Sequence, residues 1–363
     1  MTLPSSDQIA PALLIYGANG YTGELIAREA VARGLSPILA GRSASKLEPL
    51  SSELGLEHRV APLDDATALA NALAGVGVVI HCAGPFSATA APMIDACLSA
   101  KVHYTDITGE IAVFEMAKAR DAEARAAGVV LCPGVGFDVV PTDCLAARLA
   151  RELPDAIRLR LGFQSASQMS PGTAKTSIEG MALGGRVRKD GEIVAVPHAY
   201  RTRRIDFGSG ETLGVTIPWG DVSSAYHSTS IGDIEVYIAT SPAQVRAMKV
   251  GNVLRGLLGS APVQGLLMRQ ASRRVRGPSA ERRDGSPTYV WGEVENAAGE
   301  RVVGRLRTAN GYSVTVTGAL AISELLLSGS VEPGYHTPST LGGPELVTRL
   351  PGSSEVTVER VAP

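Results

Sequence analysis

The sequence predicts an α/β chain: a doubly wound parallel sheet, then a second domain of mixed α+β type. Three observations predict it. Over the first third, short continuous apolar runs alternate with segments of helical length and composition. A glycine-rich turn stands at the first junction between such a run and a helix. Past about residue 150 the alternation stops, and strand-like runs follow one another with few helices between them. At about 100–200 residues per domain, 363 residues suit two domains. We place them at 1–147 and 148–330, with a C-terminal tail, 331–363, packing back on the first.

The apolar runs 12–16, 36–40, 58–62, 76–82, 104–107 and 129–132 read as parallel strands covered on both faces, because both alternating positions are apolar. Between them, 23–33, 44–54, 66–74, 89–100 and 113–127 are rich in Ala, Leu and Glu and read as crossover helices. In the second domain, 158–163, 192–196, 213–217 and 233–240 read as strands. The clearest hairpin joins 289–295 to 301–308 through Asn296-Ala297-Ala298-Gly299-Glu300, and a helix over 315–327 follows.

Composition excludes several classes. Lys+Arg of 34 against Asp+Glu of 36 leaves a formal charge of −2, so no global positive field exists to hold nucleic acid. Cys82, Cys97, Cys132 and Cys144 form no metal-ligand spacing and are expected as reduced thiols of a cytoplasmic protein, with no metal. Met1–Asp7 lacks the basic and apolar regions of a secretory signal. The charge-free stretch 66–94 exceeds the roughly 20 residues that span a bilayer. Gly75, Gly77, Gly84, Pro85 and Pro92 break it, however, into helix, strand and helix. Between Val236 and Ala280 seven basic residues and no acidic one occur: Arg246, Lys249, Arg255, Arg269, Arg273, Arg274 and Arg276. A solvated helix face, a peripheral membrane or lipid contact through 245–276, and an anionic substrate or acyl-carrier partner all fit that pattern.

The sharpest motif is Gly17-Ala18-Asn19-Gly20-Tyr21-Thr22-Gly23, directly after the first strand and opening the first helix. Gly17 permits the tight turn, Gly20 lets backbone N–H groups approach a pyrophosphate, and Gly23 lets helix and strand pack closely. Dinucleotide binding follows. The second strand ends in Gly41-Arg42-Ser43 rather than in an acidic residue, so Arg42 and Ser43 favour a 2′-phosphate and hence NADP(H) over NAD(H). Asp64 either accepts from the adenine amino group or caps the next helix. Ala83, Gly84 and Pro85, at the end of the fourth strand, leave room for the nicotinamide ribose, while His81 reads as a core histidine.

For catalysis, the Y-x-x-x-K pair of short-chain reductases is absent, because no Tyr is followed by Lys at i+4. What remains are two polar clusters at later strand ends, Tyr104-Thr105-Asp106-Ile107-Thr108-Gly109-Glu110 and Pro133-Gly134-Val135-Gly136-Phe137-Asp138 running on to Thr142-Asp143. Carboxylates there are candidates for a general acid or for orienting substrate, against a plain role in capping and turns.

These strings, with Ser170-Pro171-Gly172-Thr173-Ala174, Ile234-Glu235-Val236-Tyr237, Gly277-Pro278-Ser279 and Pro333-Gly334-Tyr335-His336-Thr337-Pro338, resemble the saccharopine-dehydrogenase-like oxidoreductases, in particular their bacterial trans-acting enoyl reductases. The resemblance covers nearly the whole chain. It implies a Rossmann domain, NADPH-linked reduction of an imine or an enoyl bond, and a second domain bearing the substrate face and homodimer contacts. It also implies candidate catalytic residues Tyr104, Asp106 and Asp138 and candidate substrate residues Glu110, Phe137 and Thr173. A non-catalytic NADP(H) sensor or lipid-associated protein is the rival reading, since the Tyr/Lys pair is missing.

Overall fold

The computed structural model describes residues 11–329 and 331–361, without the side chains of Ala182, Ser272 and Arg273. Met1–Asp7, read above, lies outside the described residues.

The first half builds a parallel sheet by regular alternation: β1 (Ala12–Tyr16), α1 (Tyr21–Ala32), β2 (Ile38–Gly41), α2 (Ala44–Leu54), β3 (His58–Val60), α3 (Ala66–Ala72), β4 (Val76–His81), α4 (Phe86–Ala100), β5 (His103–Asp106), α5 (Ile111–Ala119), α6 (Asp121–Ala127), β6 (Val130–Cys132) and α7 (Val140–Glu152). Each strand agrees with its expected run to within two residues at either end. The helix expected over 113–127 is two, breaking at Arg120, whose guanidinium pairs with Asp95 and Glu123.

The second half holds β7 (Ala156–Ser165), α8 (Pro171–Leu183), β8 (Gly185–Lys189), β9 (Glu192–Val196), β10 (Thr202–Asp206), β11 (Glu211–Thr216), α9 (Asp221–Thr229) and β12 (Asp233–Ala239). There follow α10 (Pro242–Val253), α11 (Arg255–Leu258), α12 (Ala261–Arg274), α13 (Ala280–Asp284), β13 (Thr288–Asn296), β14 (Arg301–Thr308), α14 (Gly311–Leu327), β15 (Gly334–Tyr335), α15 (Pro338–Gly342) and β16 (Thr357–Val361). More of this half is helical than its sequence suggests. Segment α8 carries Gly172 and Gly180 and leaves Met181 and Leu183 exposed, so no clean inward-facing period registers there, whereas α10–α12 fall in the basic segment read as a helix face.

The sheets divide the molecule. One is seven-stranded, ordered β15-β6-β5-β4-β1-β2-β3 and parallel throughout, with its switch point between β1 and β4. The other runs β10-β11-β12-β7-β13-β14-β16, with β8 and β9 extending from β12. The cross-strand pair Gly292 and Gly304 makes a shallow place where α7 lies. An added Cβ would meet Leu149 at 2.9 Å from the first and Leu145 at 2.8 Å from the second. The core falls into two main clusters: one joins α1, α2, α7, α9 and α14 between the sheets, and the other packs α3 to α6 on the opposite face of the parallel sheet. The tail splits: Gly334–Tyr335 joins the parallel sheet beside β6, whereas Thr357–Val361 pairs with β14 in the other sheet.

Candidate functional site

The loops after β1 to β6 lie at the carboxyl edge of the parallel sheet, where open α/β sheets hold ligands. Gly17 has φ +81°, and an added Cβ would stand 2.9 Å from the backbone nitrogen and the Cβ of Ala83. The turn after β1 therefore touches the turn after β4. At Gly23 a Cβ would lie 2.5 Å from the Gly17 carbonyl oxygen, so only glycine lets α1 settle against the turn. Gly20 opens α1 and no side chain caps it, which leaves the first N–H groups of a 12-residue helix free to meet an anion. The Asn19 side chain lies over Gly41. Thr22 is half-buried in the first turn of α1.

Arg42 is exposed and forms no ion pair with the described residues. Its charge acts on Tyr16, whose hydroxyl donates to Ala61 O at 2.7 Å and is pushed up to about 12 by burial. Ser43 sits at the N-cap of α2, its Oγ 3.2 Å from Ser45 Oγ. Asp65, not Asp64, caps α3 by accepting from Ala68 N at 2.9 Å, so exposed Asp64 has no capping role. These residues fit a dinucleotide bearing a 2′-phosphate: a cradle that a Cβ would fill, an uncapped helix end and an unpaired guanidinium.

His81 is fully buried among Tyr16, Phe86 and Tyr104, with ring centroids 5.4, 5.5 and 6.2 Å away. Burial holds it at about 3, so it is neutral. Beyond it, Ala83, Gly84 and Pro85 lead into α4.

The two polar clusters fall side by side and differ in kind. Asp106 is fully buried: Oδ2 accepts from Tyr104 Oη at 2.7 Å, and Oδ1 from Thr108 N at 3.0 Å and Gly134 N at 2.8 Å. Burial raises it to about 6 against those donors. Tyr104 and Asp106, expected as catalytic, thus bind the β5 loop to the β6 loop. Glu110 accepts from Phe86 N at 3.0 Å and Ser87 N at 2.7 Å, holding the start of α4. Asp138 differs. An added Cβ at Gly109 would stand 2.8 Å from its Oδ2, and no hydrogen bond reaches it from any described residue. Burial, then Glu110, pushes it up to about 7.

The second domain closes over this edge. Tyr21, in the glycine motif, donates to Pro278 O at 2.7 Å, receives Arg283 Nη1 at 3.0 Å and meets the Tyr312 ring edge-on at 5.1 Å. Tyr312 Oη accepts from Ser170 N at 2.5 Å and lies 3.4 Å from Thr173 Oγ1, at the start of α8. Phe137 donates its N–H to Thr315 Oγ1 at 3.0 Å, and its ring stands edge-on to Phe163, which lies against Trp219. Tyr312, Thr315 and Arg283 carried no signal in the sequence reading. Gly277-Pro278-Ser279 did, as one string of the resemblance. Neither concavity elsewhere, one around Arg158, Arg160 and Arg201 and one around Ala147, Ser228 and Ser339, includes these residues.

Residues 13–132 match the family described as saccharopine dehydrogenase NADP binding domain. The human saccharopine dehydrogenase-like oxidoreductase is 28% identical over 153 residues, 36% of this chain and 35% of that protein. A trans-acting enoyl reductase of Mycobacterium tuberculosis strain H37Rv is 28% identical over 211 residues, 53% of this chain and 50% of that protein. The matches thus span half or less of these relatives' length. Among solved structures, the saccharopine dehydrogenase (L-Glu forming) of Saccharomyces cerevisiae superposes with a TM-score of 0.65 at 13% identity, over 97% of this chain and 100% of that one. Residues 13–132 thus resemble a saccharopine dehydrogenase NADP binding domain, and the chain shares its fold with the yeast saccharopine dehydrogenase.

Proposed function

We propose that the protein is an NADPH-dependent oxidoreductase that reduces a C=N or C=C bond of a small-molecule or acyl substrate in the cleft under α8 and Tyr312. The carrying observation is Asp138: a carboxyl that stands near neutrality, against Gly109 of the β5 loop, and receives no hydrogen bond from the described residues. Such a group is free to give a proton to substrate. When bound, NADPH supplies hydride, and a double bond that receives hydride needs a proton at its other end. Gly17, Gly20 and Gly23 with the start of α1 would hold the pyrophosphate, Arg42 and Ser43 the 2′-phosphate, and Ala83–Pro85 the nicotinamide side. Asn19, Tyr21, Thr22 and Asp64 line that path. Glu110 and Asp106 hold the loops that aim Asp138, while Phe137 and Thr173 face the substrate. In this reading the protein works as a cytoplasmic homodimer, which light scattering and cell fractionation test.

Calorimetric titration of NADPH and NADH into the wild type and Arg42→Ala comes first. Micromolar NADPH affinity that Arg42→Ala weakens about 10- to 100-fold, with NADH affinity unchanged, supports the cofactor assignment. Oxidation of NADPH is then followed with a panel of imines and enoyl thioesters. Turnover that Asp138→Asn removes supports the reaction class, whereas NADPH binding with no turnover across the panel points to a sensor.

A further inference from the structure

Elsewhere on the molecule arginines are mostly paired: Arg28, Arg120, Arg158, Arg160, Arg201 and Arg203 all hold carboxylates within 4 Å. Segment 242–276 is the opposite. Arg246, Lys249, Arg255, Arg269, Arg274 and Arg276 are exposed, and none forms an ion pair with a described residue. No acidic residue occurs between Val236 and Ala280. The neighbouring helix α8 carries one, Glu179, and it is turned toward Ser87.

The same helices expose apolar side chains where α10 turns through α11 into α12. Val253 is 86% exposed, Leu257 62% and Leu266 66%, with Val250, Leu254 and, on α8, Leu183 exposed beside them. Water around so many neighbouring aliphatic groups is unfavourable at about 25 cal/mol per Å², so an exposed patch of this kind marks a contact. On α10, Val245 is the buried residue, packed with Ala199 and Val215, so that face anchors the unit and the other is left bare.

We propose that α10–α12 dock the protein onto an anionic membrane surface, the leucine and valine side chains entering the interface and the six cations meeting lipid headgroups. Charge chooses the occupant. A second copy of this face would bring like charge against like charge, whereas an anionic bilayer satisfies both cations and aliphatics. An acidic, polar protein surface would pair the cations but leave the exposed aliphatic side chains in water. The contact is peripheral, since no described helix is long and apolar enough to cross a membrane.

The test is sedimentation with vesicles of phosphatidylcholine alone and of phosphatidylcholine mixed with phosphatidylserine, using wild type, Val253→Asp/Leu257→Glu and Arg246→Glu/Lys249→Glu. NADPH affinity serves as the check on folding. Expected are binding to the anionic vesicles that falls with added salt, little binding to phosphatidylcholine, and partition at least about tenfold weaker in each variant with NADPH affinity unchanged. Three results overturn the proposal. They are absence of binding to anionic vesicles, equal binding by the variants, and a salt-insensitive wild-type dimer that light scattering shows Val253→Asp/Leu257→Glu to abolish.

Discussion

The loops after β5 and after β6 stand against each other at one sheet edge, and both bring carboxyls to it. In the first, every carboxylate is engaged: Asp106 takes one hydroxyl and two backbone amides, and Glu110 takes two amides at the start of α4. In the second, Asp138 takes none from the described residues. Burial raises all three, but at Asp106 and Glu110 the donors pull back toward the charged form. A carboxyl saturated with backbone donors fixes geometry; one that receives none from the described residues, and is raised by burial, keeps its proton and can part with it. Under the proposed function, catalysis and architecture are thereby separated between neighbouring loops.

The sharpest way to break this comparison is Asp138→Asn, which is isosteric and removes the transferable proton. Turnover should drop about 10²–10⁴-fold with the melting temperature nearly unchanged. The wild type carries a matching pH signature. Asp138 must be protonated to act, so the rate should fall about tenfold per pH unit above roughly 7, and the variant should lose that limb. Stability follows the same group. Its folded value lies above its unfolded one of about 4, so the native state holds an extra proton between about pH 4 and 7 and loses stability as pH rises through that window. Asp138→Asn should flatten that loss. A lowered melting temperature at every pH would place Asp138 with the architectural carboxyls.

Asp106→Ala comes next and should act on the fold. It strands the Thr108 and Gly134 amides in the interior and should cost roughly 3 kcal/mol, read by chemical denaturation, with NADPH affinity falling because the β6 loop is released. Glu110→Ala removes the two amide contacts at α4 and should cost about 1 kcal/mol, the size of a helix cap.

The parallel sheet was legible because its chemistry is local. Buried strands need continuous apolar runs, and Gly17 and Gly23 stand where any Cβ would collide, so spacing alone marks the turn. The cover was not legible. Tyr312 reaches Ser170 across 142 positions and Tyr21 reaches Pro278 across 257, and no short-range period encodes such pairs. Helices α10–α12 were legible as a basic helix face but not in their bounds, since helices that bury little show no inward stripe to mark where each begins and ends. The carboxyls sat between these cases. Tyr104, Asp106, Glu110 and Asp138 were all visible as polar residues at strand ends. Which of them is saturated depends on the Gly134 and Phe86 amides, donors that every residue but proline carries and that sequence does not distinguish.

Tyr104→Phe makes the finest cut, since it removes one donor of three from Asp106 and leaves the packing intact. The hydroxyl favours the charged carboxylate, so without it the Asp106 value moves up from about 6. A carboxyl whose folded value exceeds its unfolded one loses stability as pH rises through the folded value, and the variant raises that value further. The loss should therefore be small at pH 5, where Asp106 is already protonated in both proteins, and reach about 1 kcal/mol at pH 8. Melting temperatures of the two proteins at both pH values read this directly. If instead turnover collapses while the two melting curves coincide at pH 8, the Tyr104 hydroxyl works on substrate, and the β5 loop joins the β6 loop as part of the chemistry.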